Sequence, residues 1–383
     1  MHLSTLYLKN FRNHTLTSID CGRGINFLLG NNGQGKTNVV EAISYLCLTK
    51  SFYAGSDTLV LRFGEGMFEI EGTLVSDEGR PHEIRVAYLR ENNEKYFMVN
   101  RRRIEPLSSV IGKFPIVIFS PEHGGITTGG PAGRRKFLDL VVSQSSGSYF
   151  QTILDYRNVL KQRNRVLLDM KLNRAGGPGL LDAWDEQLVR LGCAIWAKRR
   201  SFIAEFEPIV RSVYSRFVDG GREEPSLVYR PLNLEELPES PDEAAGAFRR
   251  ELREKENVEK RFGTTLVGPH RDEVTFVLNG LEMRSFASQG QHKTFVISLK
   301  LAEFLYLRSR CGETPLLLLD DVFAELDDER TAKVIGYIEN IGQAFLTSTH
   351  RQLIDSWNLG REECRCFLIE GGAVAEQKAV HHA

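Results

Sequence analysis

The chain has 383 residues, of which 42% are hydrophobic and 26% charged, and its formal net charge is −1. This balance fits a globular protein with room for two domains, and it carries no overall basicity that would advertise nucleic acid. No apolar run reaches the roughly 20 residues of a membrane span, so no membrane-spanning segment is expected. Residues 1–10 lack the layout of a signal peptide. Of six scattered cysteines only Cys364 and Cys366 lie close together. Without a second Cys/His pair they read as reduced thiols of a cytoplasmic protein rather than as a zinc site.

In chain order, residues 3–8 alternate as a strand and lead into Lys9-Asn10-Phe11-Arg12-Asn13-His14, where Arg12 is either a solvated turn residue or a functional one. Residues 25–29 (Ile-Asn-Phe-Leu-Leu) read as a buried strand. It enters Gly30-Asn31-Asn32-Gly33-Gln34-Gly35-Lys36-Thr37, which fits the phosphate-loop pattern G-x-x-x-x-G-K-[ST] at every position. An amphipathic helix is expected to follow. The glycines let the backbone turn its N–H groups around a phosphate, and the helix N-terminus adds partial positive charge. Lys36 is placed for the outer phosphates and Thr37 for Mg²⁺.

Residues 68–75, 83–89 and 95–99 alternate between polar turns, the pattern of an antiparallel meander with one wet face. Arg101-Arg102-Arg103 follows at a turn, as a solvated cluster or a contact for a phosphate backbone. Residues 115–119 read as another buried strand. Glu122 and His123 come next, without an assigned role, and then a flexible stretch over 124–133. From Pro131 the pattern turns helical, with helices over 134–142, over 154–172 including Lys161, Arg163 and Arg165, and over 180–214 after a glycine-proline break. Residues 101–215 hold 18 Lys+Arg against 10 Asp+Glu, whereas 216–259 hold 7 against 12. The basic segment suits the wet faces of a helical bundle or a DNA contact. Residues 225–241 read as acidic loop or edge structure, 243–261 as a helix laced with i,i+4 charge pairs, and 266–277 as strand.

Residues 316–319 are four leucines that end in Asp320-Asp321. In phosphate-loop ATPases the strand beside the loop ends in an acid that holds Mg²⁺; Asp320 fits that role, and Asp321 is placed to polarise the attacking water. Between the two halves, Ser288-Gln289-Gly290-Gln291 caps a helix. Its free N–H groups make a second anion site. One phosphate loop needs one nucleotide, so a second cap suggests a nucleotide shared with another subunit.

The order of phosphate loop, S-x-G-Q signature, Leu-rich strand with two acids, and Ala324-Glu325-Leu326-Asp327 resembles the ATP-binding-cassette (ABC) ATPases, in particular the SMC branch. Nearly end to end, the chain resembles the RecF family of bacterial recombination mediators, on residues 9–13, 30–37, 133–139, 268–272, 288–291 and 320–327. The resemblance implies an α/β fold, with an ABC/SMC-type ATPase head over 1–125 plus 260–383 that includes the antiparallel meander, and a compact helical lid over 126–259. It implies ATP and Mg²⁺, with Gly30, Asn31, Asn32, Gly33, Gln34, Gly35, Lys36, Thr37 and Arg12 on the nucleotide. Ser288, Gly290 and Gln291 of a second subunit would close on the γ-phosphate, with Asp327 at the dimer seam. Thr37 and Asp320 would hold the metal, and Asp321 and Lys36 would serve catalysis. Asp321 stands where many cassette ATPases carry glutamate, in keeping with slow, DNA-stimulated hydrolysis.

Two departures stand out. His123-Gly124 follow Glu122 where the family continues with Asp-Leu, and Ser348-Thr349 separate the strand-end Thr347 from His350, the candidate γ-phosphate sensor. The resulting expectation is an ATP-driven homodimer in DNA repair and replication. It would clamp double-stranded DNA near single-strand gaps and help load RecA with RecO and RecR. A transporter nucleotide-binding subunit, an SMC-like DNA-bridging protein and a metabolic kinase remain as rivals. Against them stand the meander and basic helices, the lack of long heptad arms, and a cap for which a kinase has no use.

Overall fold

The computed structural model describes residues 1–174, 176–177, 179–218, 223–231, 238–323, 326–349 and 364–379. The chain divides into two compact units, Met1–Gly124 with Lys300–Ala383, and Gly125–Leu299. Residues 260–299, expected with the first unit, group with the second. Strand Glu273–Leu278 pairs along its whole length with Pro225–Arg230, and those backbone bonds carry the segment there.

The first unit holds two sheets. In the antiparallel one the strands run in the order His14–Asp20, His2–Phe11, Met67–Val75, Pro81–Leu89, Glu94–Val99 and Arg102–Arg103. Three of these form the meander read from the alternation. The return strand His14–Asp20 was not legible in the sequence. The inner face (Leu3, Leu6, Ile70, Leu74, Val86) is buried, and helix Lys36–Leu48 packs on this sheet. Phe11, Tyr45 and Phe68 meet edge to face with centroids 5.5–5.7 Å apart, which pins the helix behind the phosphate loop to the sheet. The helix is not amphipathic as expected. Nearly every residue from Lys36 to Leu48 is buried, because the helix is covered all round.

The second sheet runs in the order Ile116–Phe119, Leu316–Leu319, Ala344–Ser348, Ile25–Leu29, Arg365–Glu370 and Ala373–Ala379. All neighbours are parallel except the last pair. The four strands from Ile116–Phe119 to Ile25–Leu29 are buried at every residue, which explains why they are apolar except at Asn26, Thr347 and Ser348. The order corrects one expectation. The acid-bearing strand Leu316–Leu319 does not adjoin the loop strand Ile25–Leu29, because Ala344–Ser348 pairs with both and lies between them.

The second unit contains helices Pro131–Ser145, Gly147–Lys171, Asp182–Tyr214 and Pro241–Phe262, with a three-stranded antiparallel sheet. The stretch expected to be flexible is largely helical, with Gly125–Thr128 preceding a helix that starts at Pro131, where a missing N–H costs nothing. Residues 266–272, expected as strand, instead form a turn, since Gly268 takes φ +118°. A Cβ there would lie 2.5 Å from the Tyr156 hydroxyl and 2.8 Å from Phe248, so only glycine permits the approach. Trp196, Phe248, Leu252, Val189 and Val267 form a core cluster in this unit. No helix among the described residues is long and apolar enough to cross a membrane.

Candidate nucleotide site

The phosphate loop lies at the C-terminal end of the parallel strand Ile25–Leu29 and opens helix Lys36–Leu48. That edge of an open parallel sheet is where ligands bind. Gly30, Gly33 and Gly35 all take positive φ. A Cβ at Gly30 would collide with the Ile369 carbonyl oxygen, and one at Gly35 would lie 2.6 Å from Asn13 Oδ1 and 2.8 Å from His14 Nε2. Lys36 Nζ donates to the carbonyls of Gly30 (2.7 Å) and Asn31 (2.9 Å), so its ammonium sits over the loop. Burial pulls the Lys36 pKa down, against the pull of Asp321 and Asp320 that raises it.

The acids meet the loop across the intervening strand. Thr37 Oγ1 donates to Asp320 Oδ1 at 2.9 Å, and Thr347 Oγ1, from that strand, donates to the same oxygen at 2.9 Å. The Asp321 N–H donates to Thr347 Oγ1 at 2.8 Å. Thr347 thus ties both acids together, a role the sequence reading missed; its signal was a hydroxyl at the end of an otherwise apolar buried strand. Burial pushes the Asp320 carboxyl above the ordinary range, opposed by the hydrogen bonds from Thr347 and Thr37. Asp321 adopts φ +52°, a left-handed conformation in which a non-glycine residue stores strain, as functional sites often do. Thr37 and Asp320 offer two hard oxygens to a cation. Among the described residues no group of three or more His, Cys, Asp or Glu could hold a metal. A pair of protein oxygens completed by phosphate and water suits Mg²⁺.

Arg12 lies beside the loop helix rather than over the loop. Its guanidinium grips buried Glu41 through Nε and Nη2, both at 2.8 Å, and donates from Nη1 to the Leu59 carbonyl at 3.1 Å. Ser51 also bonds Glu41. The hydrogen bond to Glu41 raises the Arg12 pKa further.

In the second unit Ser288 and Gln291 form a reciprocal capping box: the Ser288 N–H donates to Gln291 Oε1 at 2.8 Å, and the Gln291 N–H to Ser288 Oγ at 3.2 Å. Ser288 is exposed and Gly290 half-buried at this helix start. Asp327 caps helix Asp328–Ile338 through the Arg330 N–H, with its carboxylate half exposed. Ala324, Glu325 and His350 lie outside the described residues. Of the expected basic face, Lys161 and Arg165 are exposed, but Arg163 is buried. It pairs with Glu259 (2.7 Å) and Asp185 (2.6 Å), because its position on the helix faces the core. Arg134 is likewise buried, on Glu273 and the Gly129 carbonyl.

The family model described as RecF/RecN/SMC N terminal domain matches residues 2–359. A protein named DNA replication and repair protein RecF, from Salinibacter ruber, is 41% identical over 354 residues, covering 92% of this chain and 85% of that one. One of the same name from Moorella thermoacetica is 38% identical over 371 residues, covering 94% and 95%. A solved structure described as the recombination mediator protein RecF with ATP, in the RecFOR pathway, superposes with a TM-score of 0.89 at 30% identity and covers 99% of this chain and 98% of that one. An Smc head bound to the C-winged helix domain of ScpA shares the fold at a TM-score of 0.55 and 13% identity, covering 99% and 98%.

Proposed function

The chain belongs to the RecF family, and from that membership and the geometry of its site we propose that it is an ATP-dependent DNA-binding protein of recombinational repair and replication-fork maintenance. The observation that carries the reading is the convergence of Thr37, Thr347 and Asp320 beside Lys36. A phosphate loop and a carboxylate strand, separated by one strand whose threonine joins them, have the parts needed to bind and hydrolyse a nucleoside triphosphate.

In this account Lys36 leaves the Gly30 and Asn31 carbonyls for the outer phosphates, and the loop N–H groups take the remaining phosphate oxygens. Thr37 and Asp320 would hold Mg²⁺, which supplies neutralisation of phosphate charge. Asp321 orients the attacking water. Thr347 holds Asp320 and the backbone of Asp321 in place. Ser288, Gly290 and Gln291 of a second copy close on the γ-phosphate, so ATP joins two subunits and hydrolysis parts them. The exposed helix start at Ser288 supports this reading, because a helix N-terminus carries partial positive charge that favours an anion.

The cytoplasmic homodimer grips double-stranded DNA at single-strand gaps, with exposed cations such as Lys161 and Arg165 against phosphates. It acts with RecR, and through RecO and RecR on RecA loading. The short Asp321 carboxylate positions water less closely than a glutamate, so turnover is slow and serves as a timer, with DNA as its stimulus. Sedimentation of Asp321→Asn with ATP or ADP and a labelled gapped duplex tests the reading. A dimer that forms with ATP alone and carries the DNA supports it; a monomer that ignores DNA in both nucleotides sinks it.

A further inference from the structure

We propose that His14, together with Asn13 and the turn at Gly371 and Gly372, is a positioning device for the phosphate loop, holding its outer carbonyls so that the inner N–H groups face the phosphates. The proposal rests on the nucleotide-binding reading above and assigns a role to residues that the reading leaves unused. Asn13 Nδ2 (3.0 Å) and the Gly372 N–H (2.9 Å) both donate to the Gln34 carbonyl. His14 Nε2 lies 3.1 Å from the Gly35 carbonyl, and the Gly371 N–H donates to Gln34 Oε1 at 2.6 Å. A trans peptide is planar, with its C=O and the following N–H pointing opposite ways. Fixing the Gln34 and Gly35 carbonyls on one side therefore aims the N–H groups of Gly35 and Lys36 to the other.

The bracket is closely fitted. His14 is fully buried. A Cβ on Gly372 would collide with the Asn13 carbonyl, so this turn approaches as it does only because the residue is glycine. His14 Nδ1 lies 2.9 Å from Thr17 Oγ1, which donates to the Gly372 carbonyl at 3.1 Å. One chain of contacts thus runs from Gly35 through His14 and Thr17 to Gly372.

Counting hydrogens along that chain separates two states. Both ends are carbonyl acceptors, so three contacts need three hydrogens. Thr17 supplies one, a neutral imidazole one, and an imidazolium two. Neutral His14 supplies one hydrogen too few, so one end of the chain, the Gly35 or the Gly372 carbonyl, is left without its bond. Protonated His14 closes all three contacts and straps the turn onto the loop. The charged group facing His14 is Arg62, whose Nη1 donates to the Asn13 carbonyl at 2.6 Å. Burial lowers the His14 pKa, opposed by the nearby Gly35 and Gly372 carbonyls, so the strap tightens only as pH falls below the ordinary imidazole range. His14 reaches no phosphate; it acts through the loop.

Equilibrium binding of a fluorescent ATP analogue to the full chain, wild type, His14→Leu and His14→Gln, from about pH 5 to 8 tests this. The amide of Gln can donate to the Gly35 carbonyl, whereas Leu cannot. His14→Leu should weaken binding about 5- to 10-fold and His14→Gln should recover it to within about twofold. The ratio of wild-type to His14→Gln affinity, which cancels the nucleotide's own titration, should rise as pH falls. Unchanged binding by His14→Leu overturns the proposal. So does an equal loss in both variants with a flat ratio, which would mean simple packing. Failure of the wild type to bind would instead remove the nucleotide reading itself, and the proposal with it.

Discussion

Thr347 Oγ1 donates to Asp320 Oδ1 at 2.9 Å, from a strand that neither the phosphate loop nor the acids occupy. Thr347 Oγ1 in turn accepts from the Asp321 N–H. Thr347→Val keeps the shape and removes the hydroxyl, freeing both acids. Turnover of ATP should fall about tenfold, the worth of one hydrogen bond in a buried site, while the ATP dissociation constant moves less than about threefold. Steady-state hydrolysis beside equilibrium binding checks this, and Thr347→Ser should behave nearly as wild type.

Lys36→Ala removes the ammonium that lies over the loop. ATP affinity should drop about 100-fold, the scale of a lost charge-assisted hydrogen bond. The fold should stay intact by circular dichroism, because Lys36 binds only two loop carbonyls among the bonds that hold the site.

Arg12 and Glu41 make a two-point ion pair on the loop helix, and Glu41 is 1% exposed. Arg12→Ala strands that buried carboxylate and should cost about 3 kcal/mol of stability by chemical denaturation. Adding Glu41→Gln should return most of it. Any ATP-binding defect left in the double variant then measures a direct contact of Arg12 with nucleotide.

His270 is held neutral. Burial, with Arg271, Arg135 and Arg163 nearby, pulls its pKa down to about 4, against the hydrogen bond to the Thr265 carbonyl that raises it. Unfolded, it titrates at the ordinary value near 6.5. Below that value the unfolded chain takes up a proton that the native chain refuses, so stability is full above about pH 6.5 and declines toward pH 4, by about 3 kcal/mol for this group. Denaturation at several pH values should show the slope, and His270→Gln should flatten it.

Some of this was open to a reader of the sequence and some was not. The phosphate loop is legible because each of its residue types answers a local backbone need, as Gly30 shows against Ile369. The four leucines of 316–319 announce a buried parallel strand. What stayed hidden depends on strand order. Nothing in residues 344–348 says that they insert between loop and acids, so Thr347 could not be assigned. Arg163 looked like its neighbours Lys161 and Arg165; only the phase of the helix against Glu259 and Asp185 buries it. The Gly371–Gly372 turn meets the loop from the far end of the chain, a distance at which local patterns carry no signal.

The central claim is that one ATP joins the phosphate loop of one subunit to the Ser288 cap of another. Sedimentation of Lys36→Ala and Ser288→Arg with ATP, separately and mixed, addresses it directly. In a mixed dimer one site combines the intact loop of the Ser288→Arg subunit with the intact cap of the Lys36→Ala subunit. The account predicts monomers from each variant alone and an ATP-dependent dimer from the mixture, with one nucleotide per pair. A mixture that stays monomeric while the wild type dimerises, or a Ser288→Arg protein that dimerises unaided, would contradict it.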